Sequence, residues 1–163
     1  MTSVFLTRLD SPIGRLELLG DDVAVTALNI ERNGALPHDG EPERSNAVLD
    51  AAREQLVEYF TGTRTEFDVP VRLVGTPFQV AVWHELERLR CGEATSYGAL
   101  AAAVGKPGSA RAIGGAVGAN PVPIIVGCHR VLASDGRITG YSGGEGVPTK
   151  LWLLGHERIG FAA

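Results

Sequence analysis

Fifteen of the 21 glycines fall in residues 91–163, against six in residues 1–90. Glycine inside a helix or strand costs roughly 0.5–1 kcal/mol relative to alanine, so the rear of this chain cannot be built from long uninterrupted elements. It predicts short helices, tight turns and places of close backbone approach. The front reads differently. Val4-Phe5-Leu6, Leu16-x-Leu18 and Val23-x-Val25 are short apolar runs separated by Ser11-Pro12-Ile13-Gly14 and Asp21-Asp22, which is the pattern of an antiparallel meander. After a polar loop through Pro37 and Pro42, a helix is predicted from about Ser45, with Val48, Ala52, Leu56 and Phe60 on one face and Gly62 as its stop. Phe67, Val69, Val71 and Leu73 alternate as a strand, and a boundary is expected at Gly75.

Thr76-Pro77-Phe78-Gln79 combines an N-cap, a proline in the first turn and a capping-box glutamine, so a helix should start there and run to about Arg90 before Gly92. Ser96 to Val104 forms a short helix closed by Gly105; Lys106-Pro107-Gly108 turns, and Ser109 caps a second helix to about Gly118. That is the helix-turn-helix pattern. Asn120-Pro121-Val122-Pro123 cannot be helical, and Ile124-Ile125-Val126 reads as a buried extended run leading into Gly127-Cys128-His129-Arg130. A last helix is predicted over about Pro148 to Ile159, burying Leu151, Leu154 and part of Trp152. The expected fold class is α/β of the α+β kind: an N-terminal domain of antiparallel sheet plus helix over residues 1–75, then a mostly helical domain with the helix-turn-helix over residues 76–163.

At 163 residues the chain can bury roughly 68–70% of its unfolded surface, so a core needs neither disulfide nor metal. The apolar run at the N-terminus is broken by Arg8 and Asp10, and no stretch approaches about 20 apolar residues. Neither a signal peptide nor a membrane span is expected, and the location expected is the cytoplasm. Cys91 and Cys128 are the only cysteines, which suits a reducing compartment. The net charge of −4 divides unevenly: residues 1–75 carry 7 Arg against 13 acidic residues, whereas residues 76–163 carry 8 basic against 6 acidic. An acidic front and a mildly basic rear suggest separate jobs.

Two constellations carry chemistry. The second helix of the pair contains Gly114 and Gly115 in its interior, at a cost of about 0.8–1.0 kcal/mol each. A helix faced with Ala112 and these glycines can bring its backbone close to DNA; the alternative is close packing against another helix. Arg111, near its start, can reach a phosphate or the base stack, or simply be solvated. Cys128 beside His129 invites nucleophilic catalysis, because a thiol needs a base or a positive neighbour to become thiolate at neutral pH. A third group must orient the imidazole, and Glu157 and Glu145 are the candidates, Glu157 being preferred for its place on a helix. Buried inert cysteine is the competing reading. Cys91, expected at a helix C-terminus where the dipole disfavours a thiolate, reads as structural. His38, His84, His129 and His156 show no zinc spacing, so no metal site is expected.

Ser96-Tyr97, Ala110-Arg111-Ala112-Ile113-Gly114-Gly115-Ala116, Asn120-Pro121-Val122-Pro123-Ile124, Cys128-His129-Arg130-Val131, Gly140-Tyr141-Ser142-Gly143-Gly144 and His156-Glu157 together closely resemble the O6-alkylguanine-DNA alkyltransferases. Ser11-Pro12-Ile13-Gly14 with Leu16 and Leu18 is similar to the N-terminal domain of that family. The resemblance implies single-turnover attack by Cys128 on the O6-alkyl carbon of guanine, with His129 acting through a water and Glu157 holding the imidazole. It implies Tyr97 as proton donor to the departing guanine, and Ser142, Tyr141 and the Cys128 and Val131 carbonyls around the base. Asn120 would be a hinge. Arg111, with Ala112, Gly114, Gly115 and Arg130, would meet the minor groove of double-stranded DNA with little sequence preference, Arg111 filling the place of a flipped nucleotide. A monomer, with copies cooperating on DNA, is the expected state, without a cofactor. One departure stands out: the family's proline before the cysteine is Gly127 here. Alternatives are a non-catalytic alkylguanine-binding relative, disfavoured by Cys128, and a Cys-His-Glu hydrolase, which would turn over repeatedly.

Overall fold

The structure, a computed structural model, describes residues 4–162. The front folds as an antiparallel meander of β1 (Phe5–Leu9), β2 (Leu16–Gly20) and β3 (Val25–Ile30). Leu9 lies opposite Leu16 and Leu18 opposite Leu28, so alternate apolar residues share one face. Helix α1 (Ala47–Thr61) covers that face with Leu49, Ala52, Leu56 and Tyr59. Its N-cap is Asn46, whose side chain accepts from the Leu49 N–H, and it ends at Gly62 in the left-handed conformation. The buried stripe therefore lies beside the predicted one: Ala52 and Leu56 are shared, but Val48 and Phe60 flank the core and Tyr59 enters it.

The predicted strand at Phe67–Leu73 does not form. Burial alternates as expected, with Phe67, Val69, Val71 and Leu73 half-buried, but the backbone makes only a single bridge, Val71 to Val25. Pro70 explains this, since it has no N–H to continue a ladder. Its carbonyl still accepts from Val25, and the Arg72 N–H donates back to Val25, so the segment seals the edge of β3.

Helix α2 (Pro77–Glu87) carries the full capping box at Thr76 and Gln79, and ends three residues short of the predicted Arg90. The buried Trp83 ties it to the rear by donating its indole N–H to the Ala116 carbonyl at 2.8 Å. The two-residue strand β4 (Thr95–Ser96) leads into α3 (Tyr97–Ala103), and α4 (Ala110–Gly118) follows the turn at Gly105–Ser109. The helix-turn-helix is present. Ser109, however, is no side-chain cap: its hydroxyl donates to the Lys106 carbonyl. A 3-10 turn (Cys128–Arg130) runs into β5 (Val131–Leu132), which pairs in parallel with β4. Helix α5 (Val147–His156) closes the chain. It buries Thr149, Lys150, Leu153 and Leu154, while Leu151, expected inside, is exposed. One apolar core runs from the sheet through α1 and α2 to α4 and the cysteine turn. No helix among the described residues is long and apolar enough to cross a membrane.

Candidate active site

The cysteine stands at the end of a strained turn. Residues 124–126, expected to be extended, instead bend sharply: Ile124 has φ +74° and the Ile125 N–H donates to the Pro123 carbonyl at 2.9 Å. A β-branched residue rarely adopts such a tight three-residue turn, so something must hold it. Ile124 is fully buried, and Asn120 clamps both ends, donating from Nδ2 to the Val126 carbonyl at 2.9 Å while Oδ1 accepts from the Val122 N–H at 3.0 Å. Asn120 thus fixes the connection between α4 and the cysteine turn.

Cys128 is buried, and burial pushes its thiol above the ordinary range. Its Sγ lies 3.8 Å from the Tyr141 hydroxyl. Next to it, His129 is wholly buried and its Nε2 lies 2.6 Å from Glu157 Oε2. Burial depresses the imidazole and Glu157 offsets part of that. Against its own burial, Glu157 is held well below the usual carboxylate range by its bonds to His129 and Arg130. A carboxylate only accepts, so Nε2 carries the proton and Nδ1 keeps its lone pair. Nδ1 is buried and has no hydrogen-bond partner among the described residues. The arrangement leaves a base beside a protonated thiol. Glu145, the other candidate, accepts from the Asn33 N–H instead.

Two cavities meet at Cys128. One, of about 290 Å³, is lined by Tyr97, Gly114, Tyr141, Ser142 and Lys150. The other, of about 480 Å³, opens toward the end of β3 and is lined by Asn29, Ile30, Leu36, Asn120 and Ser142. In the first, Thr139 donates to the Tyr97 hydroxyl at 3.2 Å, leaving that O–H available to a ligand. The Ser142 hydroxyl donates to the Gly118 carbonyl at 2.8 Å. The Val131 carbonyl accepts from Lys150 Nζ at 2.6 Å, and Lys150 also bonds Gly140 at 3.1 Å.

Outside this mouth lies the bare face of α4. Arg111, Ala112 and Gly115 are exposed. A Cβ on Gly115 would meet nothing within 4 Å, and one on Gly114 only the Tyr97 ring at 3.9 Å. Packing within the molecule does not require these glycines, so close helix–helix packing is excluded as their reason. Arg130 corrects the expectation that it meets DNA: it is buried, donating to Glu157 from Nε at 2.7 Å and from its second terminal nitrogen at 3.0 Å, and to the Leu89 carbonyl at 3.1 Å. Cys91 lies beyond the end of α2 and is half-buried, and burial and the nearby Glu157 charge push its thiol up.

Three contributors escaped the sequence reading: Tyr59, Lys150 and Trp83. Lys150 was detectable, because Lys150, Leu153, Leu154 and Glu157 recur at helical spacing on one face. Tyr59 was not, since Tyr59 and Phe60 are adjacent aromatics that satisfy the period about equally well.

The same architecture occurs in known proteins. The family described as 6-O-methylguanine DNA methyltransferase, DNA binding domain, matches residues 77–159, and the 6-O-methylguanine DNA methyltransferase, ribonuclease-like domain, matches residues 4–73. A Mycolicibacterium paratuberculosis methylated-DNA–protein-cysteine methyltransferase is 44% identical over 151 residues, covering 92% of this chain and 90% of that protein. The crystal structure of Mycobacterium tuberculosis O6-methylguanine methyltransferase superposes with a TM-score of 0.84 at 42% identity, covering 96% of this chain and 93% of the other. The same enzyme solved in complex with DNA gives 0.84 at 42% identity over 94% and 92%. With family matches over both segments and identity of this order along nearly its whole length, the chain belongs to the 6-O-methylguanine DNA methyltransferase family.

Proposed function

We propose that this chain is a DNA repair protein that moves an alkyl group from O6 of guanine in DNA to Cys128, once per molecule. The observation that carries this reading is a buried thiol, next to an imidazole whose free nitrogen is a base, at the floor of a cavity edged by a helix face stripped of side chains. Cys128 Sγ attacks the alkyl carbon, the C–O bond breaks, and its electron pair goes to the guanine. His129 Nδ1 takes the thiol proton through one bridging water, and the Tyr97 O–H supplies a proton to the leaving base. The thioether has no path back to thiolate, so turnover stops at one equivalent.

Base recognition falls to Ser142, Tyr141 and the Cys128 and Val131 carbonyls, the last fixed from behind by Lys150. The small face of α4, Ala112, Gly114 and Gly115, enters the minor groove, too narrow for an ordinary helix surface, and Arg111 occupies the gap left by an extruded nucleotide. Few basic residues are available, so binding tolerates sequence and weakens with salt. The DNA-binding face and the reacting groups belong to residues 76–163, and residues 1–75 form an α/β unit that packs against them. The protein acts as a monomer in the cytoplasm, with copies able to assemble along DNA. Intact-protein mass after incubation with O6-methylguanine duplex tests the reading: a gain of about 14 Da at Cys128 and none at Cys91 is expected from the single base beside Cys128. Lesion binding without any mass change would favour the non-catalytic alternative, and modification of both thiols would remove the assignment to Cys128.

A further inference from the structure

Glu157 is more crowded than its role as partner of one histidine requires. Its Oε2 accepts from His129 Nε2 at 2.6 Å, from Arg130 at 3.0 Å and from the Tyr59 hydroxyl at 2.6 Å; its Oε1 accepts from Arg130 Nε at 2.7 Å and from the Gly92 N–H at 3.3 Å. A carboxylate offers about four acceptor sites, so these donors compete. Four of the five bonds come from the rear of the chain. The fifth comes from α1, a front helix that otherwise covers the sheet.

Tyr59 is held for this contact. Its ring packs edge-on against Phe60 and His156, and tilted against Phe67. His156 Nε2 lies 2.6 Å from the Tyr59 carbonyl. The ring alone fills the space, and phenylalanine would fill it equally. Only the O–H reaches the carboxylate. We infer that Tyr59 is a positioning residue for alkyl transfer, its hydroxyl fixing Glu157 Oε2 on His129 and moderating how strongly that carboxylate draws the imidazole proton. This rests on the function proposed above.

The direction of the effect follows from charge. Each hydrogen bond to Oε2 withdraws negative charge from the side that faces His129. Without the phenol, Glu157 remains ionised through Arg130, but more of its charge falls on the imidazole, which then binds a proton more tightly. A protonated imidazole cannot take the thiol proton. The other titratable groups near this pair are Arg130, Lys150, Cys91, Cys128 and Tyr141, with His156 against the Tyr59 ring. The Tyr59 hydroxyl bonds none of them, only Glu157.

The test is the single-turnover rate of Cys128 alkylation against pH, read by intact mass, for the wild type, for Tyr59→Phe and for the protein with 3,5-difluorotyrosine in place of Tyr59. Burial and the Glu157 charge raise this phenol far above its ordinary value, so the fluorinated ring keeps its proton and donates more strongly. Tyr59→Phe is expected to move the acid limb up by about half a pH unit, a loss of roughly threefold in rate below the limb, with Kd for duplex DNA unchanged. The fluorinated ring is expected to move the limb the opposite way. Opposite shifts support the inference; an unmoved limb, or shifts in the same direction, overturns it. If Tyr59→Phe does not fold, the fluorinated protein decides alone. Failure of the wild type to accept an alkyl group overturns the proposed function as well, whereas a reactive wild type with unmoved limbs overturns only the role of Tyr59.

Discussion

Gly127 is the residue at which this chain leaves the pattern it otherwise follows, and its geometry makes opposing demands. Its φ of −75° suits proline, and it makes no N–H hydrogen bond among the described residues, so the backbone itself accepts the change. The side chain does not fit as easily. A Cβ there would lie 2.6 Å from a terminal nitrogen of Arg130 and 2.9 Å from its Cδ and Cζ, and that guanidinium is engaged with Glu157 and Leu89. Gly127→Pro gains about 0.4–1 kcal/mol from a smaller unfolded ensemble, while Gly127→Ala meets the same contact with less of that gain. Melting temperatures should therefore rank proline above alanine, and both should transfer alkyl more slowly than the wild type as Arg130 shifts. Equal rates in all three would mean that Arg130 yields freely. At Cys128 the expectation is simpler. Cys128→Ser keeps DNA binding in a gel-shift assay and loses transfer, because a hydroxyl at neutral pH is a far weaker nucleophile than a thiol with a base beside it.

Among the elements, α4 trades stability for surface. Gly115 has open space above it, so Gly115→Ala should stabilise the protein by about 0.8–1 kcal/mol through helix propensity alone. Gly115→Leu would keep part of that gain but raise a side chain from the bare face, and duplex binding should fall while the melting temperature does not. A drop in both would place Gly115 in a packing role that its surroundings do not show. Arg111→Ala belongs to the same face: it should slow repair of duplex DNA more than reaction with free O6-benzylguanine, which needs no extrusion. Elements of this kind were legible because their signals are local. The capping box at Thr76, the glycines after the helices and the alternation of β1 to β3 each act within a few residues. Where the sequence misled, either a breaker inside the segment or a side chain outside it decided. Pro70 cut a well-alternating strand to one bridge, the Asn120 clamp and the buried Ile124 bent an apolar run expected to be straight, and Glu157 drew Arg130 inward from a motif that read as surface. The pairing of His129 with Glu157 was legible from residue type and placement, but its further bonds to Tyr59, Gly92 and Arg130 join positions up to 98 apart in sequence, beyond any period.

At the scale of the whole molecule, Glu157 is where front and rear become one object. Tyr59 of α1, the loop at Gly92 and the His129-Arg130 turn converge on it, and the apolar core passes without interruption from the sheet to α4. Calorimetry should accordingly show one cooperative transition, even though the family matches divide the chain in two; two separable transitions would mean that this cluster is not a strong link. The same cluster contributes to the pH dependence, beside the surface carboxylates Glu31 and Asp39 that Arg15 holds low. Burial lowers the folded value of His129 beneath its ordinary 6.5, and bonding to His129 and Arg130 lowers that of Glu157 beneath 4.5. In both cases the unfolded chain binds protons more readily than the folded one as pH falls, so stability must decline toward acid. The histidine contribution is complete above about pH 6.5 and is lost as pH falls through the depressed folded value; the glutamate contribution is complete above about 4.5 and is lost below it. The melting temperature should be flat from pH 8 to 7, decline below about 6.5, and fall more steeply below about 4.5. His129→Gln, which removes the first titration, should flatten the upper part of that decline, while Arg130 keeps a reduced lower part in place. An unchanged slope between pH 6.5 and 5 in that variant would mean that some group other than His129 carries the acid sensitivity.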